Sequence, residues 1–501
     1  MRLSSYLDFT AAELLRSDLS YLTQATDYDT SWAARLRNSD GSLAYPGLLV
    51  GVVSRQHSDG SWGGSAPYAY DRMLTTLSVV LLLARVGHRE RDQEQRAAGE
   101  RYIWLNAATL EREAHRTVGF EMILPTLLRE GEELGLDLPY AQLRHYDEER
   151  RKKLSLLPEK QLFERRTTAL FSLEAFAGRA DLDGVTDLLS GDGSVAGSPS
   201  STAWFLGQTP DWRERHPRSA AYLEGLMPRY DAGLPTMAPY DVFARAWVLY
   251  YLDRGGLLGG HKDLSKPHYE HLLERWGPGG VGWSSNAFPD SDDTAMVALM
   301  LHRAGYEVDG SPLLAYERDE HFAVFEHERD PSISANLHIL EALETLPEQD
   351  RARARDKILD YVLGERLHGS FWSDKWHASV YYPTSQALMA LLPHAASRMD
   401  ETLHWLFATQ RPDGSWGQYG PNAEETALVL LALLLYHREA RPLPTEPLRK
   451  AARYLLDNEK PFREHYPELW IAKVLFAPTF VIRSIILAAL GIYQDTFGDL
   501  A

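Results

Sequence analysis

The chain contains no cysteine. That absence excludes a disulfide framework, a cysteine nucleophile and thiolate-held zinc. Positive charge is scarce too: 52 Lys and Arg stand against 70 Asp and Glu, a formal net charge of −18 over 501 residues. Nucleic-acid binding needs a basic footprint, so it is not expected. An anionic ligand must be held by a local basic patch, because the global field repels it. Long apolar runs are missing. The greatest, Ala427–Leu435, is about half of a bilayer span, and the stretch from Val481 to Tyr493 is broken by Arg483. The opening Met1-Arg-Leu-Ser-Ser-Tyr-Leu7 lacks a sustained apolar segment, so no signal peptide is read. The expectation is a cytoplasmic protein without a transmembrane segment. Alternating strand-like runs between tight turns are also few, which leaves little room for sheets.

What the chain has instead is helical periodicity. Leu77–Leu83, Val297–Leu301, Ala387–Leu392 and Ala427–Leu435 are Leu- and Ala-rich stretches of buried-helix type. A short motif also returns. Gln56-His-Ser-Asp59-Gly60-Ser61-Trp62-Gly63 reappears as Gln410-Arg-Pro-Asp413-Gly414-Ser415-Trp416-Gly417. Weaker copies are Gly191-Asp192-Gly193-Ser194, Gly280-Val281-Gly282-Trp283 and Gly369-Ser370-Phe371-Trp372. In each, glycine permits a tight turn and an aromatic residue can pack at the next helix start. Such repeats fit helix pairs arranged in rings. The fold class expected is therefore all-α, built as α/α barrels, and the length accommodates two or three domains.

The densest chemistry lies in Phe288-Pro289-Asp290-Ser291-Asp292-Asp293-Thr294-Ala295-Met296. Three carboxylates within four residues repel one another, so at least one resists ionisation. A helix beginning here would favour negative charge on part of the cluster. Three uses remain open at this point: a plain helix cap, an acid site and a metal site.

Asp290-Ser-Asp292-Asp293-Thr294-Ala295 resembles the Asp-x-Asp-Asp-Thr-Ala signature of class II terpene cyclases. The Gln-x-x-Asp-Gly-Ser-Trp repeats resemble the QW repeats of the same superfamily, which includes squalene–hopene cyclase. Further segments agree with its diterpene branch: Tyr28-Asp-Thr-Ser-Trp32, Val118-Gly-Phe-Glu121, Leu134-Gly-Leu-Asp-Leu-Pro-Tyr140, Ser198-Pro-Ser-Ser-Thr-Ala203 and Glu468-Leu-Trp-Ile-Ala-Lys473. They run in order from about residue 28 to 480. The resemblance implies the βγ architecture, two α/α barrels with the active site between them. The expected bounds are residues 26–235 for one barrel and 236–501 for the other, with residues 1–25 packing on the second.

The resemblance also implies a reaction: protonation-initiated bicyclisation of a linear prenyl diphosphate, farnesyl or geranylgeranyl, with the diphosphate retained. The product would be of drimenyl or copalyl type. Asp292 would be the proton donor, supported by Asp290 and Asp293, with Asn336 as a polar partner. Aromatic faces stabilise cations without acting as bases. The candidates are Phe171, Trp204, Trp283, Trp372, Trp376, Tyr381 and Tyr382. Lys153 and Lys473 are the expected diphosphate ligands. Glu111 and Glu113 occupy the place of a Mg²⁺-associated motif, degraded here to Glu-Arg-Glu-Ala-His, so Mg²⁺ is expected to bind with the diphosphate. Phe171 and Thr236 replace the His and Asn of plant-type ent-copalyl enzymes. The usual terminating base is therefore missing, and a bulky Phe171 would suit a C15 chain. The rival readings are a squalene–hopene-type cyclase, a glycosidase on α/α barrels that pairs Asp292 with a second carboxylate, and a non-catalytic binding scaffold. The substrate is a small molecule in all but the last, and the oligomeric state is left open.

Overall fold

The computed structural model describes residues 3–21, 23–156, 163–231, 233–326, 328 and 330–498. It divides into two compact units. The first comprises Thr23–Pro239 and Pro467–Ala477; the second comprises Met1–Leu22, Tyr240–Tyr466 and Pro478–Ala501. The excursion of residues 467–477 back into the first unit is the feature that the sequence boundaries did not contain.

The first unit is a ring of inner helices. They are α1 (Asp27–Ala33), α2 (Ala69–Val86), α3 (Phe120–Glu133), a 3₁₀ run (Thr168–Phe176) and α4 (Pro199–Gly207). Each packs on the next, and α4 packs back on α1. The returning segment is a small antiparallel hairpin, β1 (Trp470–Ile471) against β2 (Leu475–Phe476), with Trp470 opposite Phe476.

The second unit closes a larger ring. Its inner helices are α5 (Asp241–Arg254), α6 (Ser291–Arg303), α7 (Ile333–Glu341), α8 (Tyr381–Ala390), α9 (Ala423–Glu439) and α10 (Thr479–Phe497). Neighbours pack in that order and α10 returns to α5. Sequence separates inner from outer helices. An inner helix is apolar all round: α9 buries every residue from Ala423 to Tyr436, as a helix enclosed by protein must. The outer helix Thr445–Asn458 buries only one stripe, which includes Leu448, Ala451, Ala452 and Leu455. One helix, α10, is long and apolar enough to cross a membrane by length, but 67% of it is buried inside the protein.

The recurrent motif joins outer to inner helices. In each copy one glycine adopts the left-handed region: Gly60 at φ 91°, Gly193 at 87°, Gly280 at 81°, Gly369 at 71° and Gly414 at 90°. One to three residues later, a backbone N–H donates to a threonine hydroxyl on the following inner helix. The pairs are Trp62–Thr76, Val195–Thr202, Val281–Thr294, Trp372–Thr384 and Trp416–Thr426. Where that residue is Trp, its indole N–H reaches back to a carbonyl: Val52, Val362 or Leu406, at 2.9, 2.7 and 2.7 Å. The side chain buries a large apolar ring and satisfies its one donor. Each turn thereby sets where the next inner helix begins.

Candidate functional site

The amino end of the second ring gathers the acidic motif. Asp290 caps α6: its carboxylate accepts the Asp293 backbone N–H at 2.7 Å. A cap orients the next turn, so Asp292 lies two residues into the helix and Asp293 three. Asp290 and Asp293 are buried. Burial pushes both carboxyls up, and each is raised further by the charge of its acidic neighbours, Asp292 acting on Asp290, and Asp290 and Asp292 on Asp293. Among the described residues no Lys or Arg bonds any of the three.

Asp292 differs from its neighbours. Its side chain keeps 15% of its surface open, and Oδ1 lies 2.5 Å from Nδ1 of the fully buried His338. Its other oxygen, Oδ2, has no hydrogen-bond partner among the described residues. His338 stands on α7 and meets the Trp247 ring edge-on at 5.4 Å. From Trp247 a row of rings continues along α5: Phe243 stacks on Trp247 at 4.0 Å, Tyr240 stacks on Phe243 at 4.6 Å, and Trp283 tilts against Tyr240 at 5.9 Å. An acid with one tethered and one open oxygen, beside stacked aromatics, can deliver a proton into an apolar space.

The aspartate motif has a counterpart in the same ring. Asn422-Ala-Glu424-Glu425-Thr426-Ala427 opens α9 as Asp290-Ser-Asp292-Asp293-Thr294-Ala295 opens α6. Asn422 caps by accepting the Glu424 and Glu425 N–H groups. Glu424, at the rank of Asp292, lies 3.4 Å from Nε2 of His377. Both members of this pair are buried.

Several expected residues fall elsewhere. Asn336 does not bond Asp292: its carboxamide accepts from the Phe322 N–H and donates to the Phe322 and Ser332 carbonyls. His338, one half-turn further, has the place expected for it. Periodicity misses this, because α7 is short and both residues are buried. Trp372 does not line a cavity. It is the buried staple of its turn, equivalent to Trp62 and Trp416. Trp283 is released from that job because Val281 takes the backbone bond. Trp376 is half-buried under the Lys375 ammonium, 5.0 Å from its ring. Tyr381 packs on Trp405 at 5.2 Å. Tyr382 stacks on His377 at 4.8 Å, and its buried phenol is pushed up by burial, Tyr251 and Asp292.

In the first unit, Lys473 corrects the diphosphate expectation. It projects from the hairpin turn, is 0% exposed, and its ammonium donates to Glu174, the Phe171 carbonyl, Ser198 and Ser200. A fully enclosed ammonium with four acceptors has no donor left for a phosphate. Phe171 lies under it, ring centroid 4.8 Å from Nζ, so this ring is shaped by the lysine. Lys153 is 57% exposed and pairs with Glu121. Trp204 lies at the opposite, carboxyl end of this ring, on α4. Glu111 accepts the Tyr146 hydroxyl and has Arg116 and His145 at 3.7 Å. Glu113 accepts the Ala69 N–H. Among the described residues no three acidic or His side chains form a metal-holding group. With Arg116 and His145 beside Glu111, this pair does not fit as a protein cage for Mg²⁺.

Comparisons with known proteins agree in one direction. Residues 320–432 match the family described as the squalene-hopene cyclase C-terminal domain. A type B diterpene cyclase of Mycobacterium tuberculosis is 31% identical, over 96% of this chain and 98% of that one. A (+)-kolavenyl diphosphate synthase of Herpetosiphon aurantiacus is 31% identical, over 94% of each. Among solved structures, ent-copalyl diphosphate synthase from Streptomyces platensis superposes with a TM-score of 0.80 at 28% identity, covering 97% of this chain and 99% of its own.

Proposed function

The chain belongs to the class II diterpene cyclases, and from that premise we propose that Asp292 protonates the terminal alkene of geranylgeranyl diphosphate. The observation that carries this reading is the tethered acid: Asp292 Oδ1 on His338 Nδ1, with Oδ2 unpartnered and no Lys or Arg bonded to the cluster among the described residues. An N–H donated to one oxygen stabilises the carboxylate left behind once the proton has gone. The two buried neighbours keep at least one carboxyl protonated, and they limit negative charge at the helix start.

The alkene π pair takes the proton from Oδ2, leaving a tertiary carbocation at the chain end. Successive double bonds then supply the electrons for two ring closures. Loss of a proton to water returns its C–H pair to a new double bond, and the product departs with its diphosphate still attached. Trp247, Phe243, Tyr240 and Trp283 present aromatic faces that stabilise positive charge without competing as bases. Mg²⁺ enters this proposal only as a counter-ion carried by the diphosphate oxygens, as this ion commonly binds. Exposed Lys153 is the remaining cationic candidate for that group. Support for the C20 chain comes from the relatives, one titled a diterpene cyclase, and from Phe171, whose ring is engaged by Lys473.

Incubation with geranylgeranyl and farnesyl diphosphates, each with and without phosphatase, tests the reading. A bicyclic alcohol that appears only after phosphatase, from the C20 substrate, is expected. A hydrocarbon released without phosphatase, or preference for the C15 chain, overturns it.

A further inference from the structure

A second feature of the first unit has no part in that chemistry. The carboxyl ends of its inner helices surround a cleft of about 1200 Å³. That volume is enough for a ligand of drug size or larger. Trp32, Trp204 and Trp212 line it, together with apolar Leu36, Val86 and Leu134. Arg35, Arg37, Arg85 and Arg129 enter it from the loops and last helical turns.

The guanidinium groups outnumber their carboxylates. Arg35 and Arg85 share one carboxylate, Glu130, at 3.2 and 2.6 Å; Arg35 also donates to the Ser78 carbonyl and hydroxyl, and Glu133 and Asp211 line the same cleft. Arg129 is exposed and has no hydrogen-bond or ion-pair partner among the described residues. Behind it, buried Arg150 bonds only the Ala175 carbonyl among the described residues. Burial, together with the charges of Arg129 and Arg179, lowers Arg150 to about 10. Helix carboxyl ends attract cations, which accounts for part of this cluster. It does not account for like charges set close enough to disturb one another in a chain of net charge −18. Such a cluster beside aromatic walls is complementary to an apolar chain that ends in a concentrated anion.

We propose that this cleft is a second, non-catalytic binding site for a prenyl diphosphate, with the chain on Trp32, Trp204 and Trp212 and the diphosphate at Arg129 and Arg85. The inference rests on the prenyl diphosphate reading above and adds a site that the cyclisation does not use. The Asp292→Asn protein, whose turnover is cut by about 10²–10⁴-fold, is titrated calorimetrically with geranylgeranyl diphosphate. Two molecules per chain are expected. Adding Arg129→Glu removes one of them or weakens it by about tenfold or more, and Arg129→Gln does so to a lesser degree. In the Asp292 background, Arg129→Glu leaves kcat/KM within about twofold, because the proposed cyclisation does not use this residue. Geranylgeraniol and inorganic diphosphate each fail to compete at this site, since each lacks one half of the ligand. One molecule per chain in the starting protein overturns the second site and leaves the cyclase reading intact; the arginines then serve the helix ends alone. No binding overturns both. Retention of two sites in Arg129→Glu, or displacement of the prenyl diphosphate by phosphatidylglycerol vesicles, also overturns the proposal.

Discussion

Two helix starts in one ring, α6 and α9, carry nearly the same motif and differ in what their carboxylates can reach. On α6, Asp292 holds its histidine at 2.5 Å and keeps an open oxygen. On α9, the longer Glu424 stands 3.4 Å from His377, and both are enclosed. Residue type, helical rank and an imidazole partner are common to the two. Access is not. A carboxyl becomes a proton donor to substrate where one oxygen is tethered and the other is open, and becomes a structural group where both are walled in. The first ring supplies a third case: its buried Glu174 faces the Lys473 ammonium at 3.0 Å, and the carboxyl is taken up by an internal ion pair.

The comparison breaks most directly at Asp292. Asp292→Asn should lower kcat by about 10²–10⁴-fold, the usual weight of a general acid, while Glu424→Gln stays within about threefold of the wild type. Steady-state product assays on folded proteins decide this; equal losses would make the two helix starts functionally alike. Lys473→Met should destabilise the first unit by about 3–5 kcal/mol, as loss of one partner of a buried pair does. Chemical denaturation reads that cost, and the product profile of whatever folds should be unchanged. A diphosphate ligand would instead raise KM with little loss of stability.

Removing the tether sharpens the contrast. His338→Phe should reduce kcat by about 10–100-fold with KM nearly constant, the pattern of an interaction made in the transition state. If KM rises and kcat holds, His338 shapes the pocket and does not act on the acid. A smaller effect concerns pH. Asp290 and Asp293 have folded-state pKa values raised above the unfolded value of about 4, so the native state binds more protons than the unfolded state above that pH. Stability therefore falls as pH rises from about 4 through the raised values. Asp293→Asn should remove part of this slope and stabilise the protein by about 1–3 kcal/mol at pH 8–9, with little gain at pH 4. Thermal melts across that range check the sign. Smallest is Trp372→Phe, which loses one indole hydrogen bond worth about 1 kcal/mol and should leave product identity untouched.

Much of the architecture was legible because it is repeated. Five glycine turns and the apolar inner helices announce rings of helix pairs, and the clustered aspartates announce the acid end. The staple role of Trp372 was legible too, in principle, since Trp62 and Trp416 sit in the same motif. Other features depend on pairings that no local pattern encodes. His338 is one buried polar residue among several on α7, and only the approach of α6 selects it over Asn336. Lys473 reads as a free cation in sequence; its acceptors, Glu174, Ser198 and Ser200, lie roughly 300 residues earlier. The cleft at the carboxyl ends is assembled from five separate segments and has no motif at all.

The hairpin of residues 467–477 has a consequence for how the molecule is made. A ribosome completes all but the last piece of the first unit by Pro239, then synthesises more than two hundred residues of the second before Lys473 emerges. During that interval Glu174 has no ammonium to face, Asp71 lacks the Leu475 N–H that it accepts at 3.0 Å, and Val118 lacks the Ala472 carbonyl. Contacts of such sequence separation are slow to close, and domains ordinarily fold in the order of their synthesis. Here the earlier unit waits for the later one, so a nascent chain stalled before residue 473 holds an unfinished first ring.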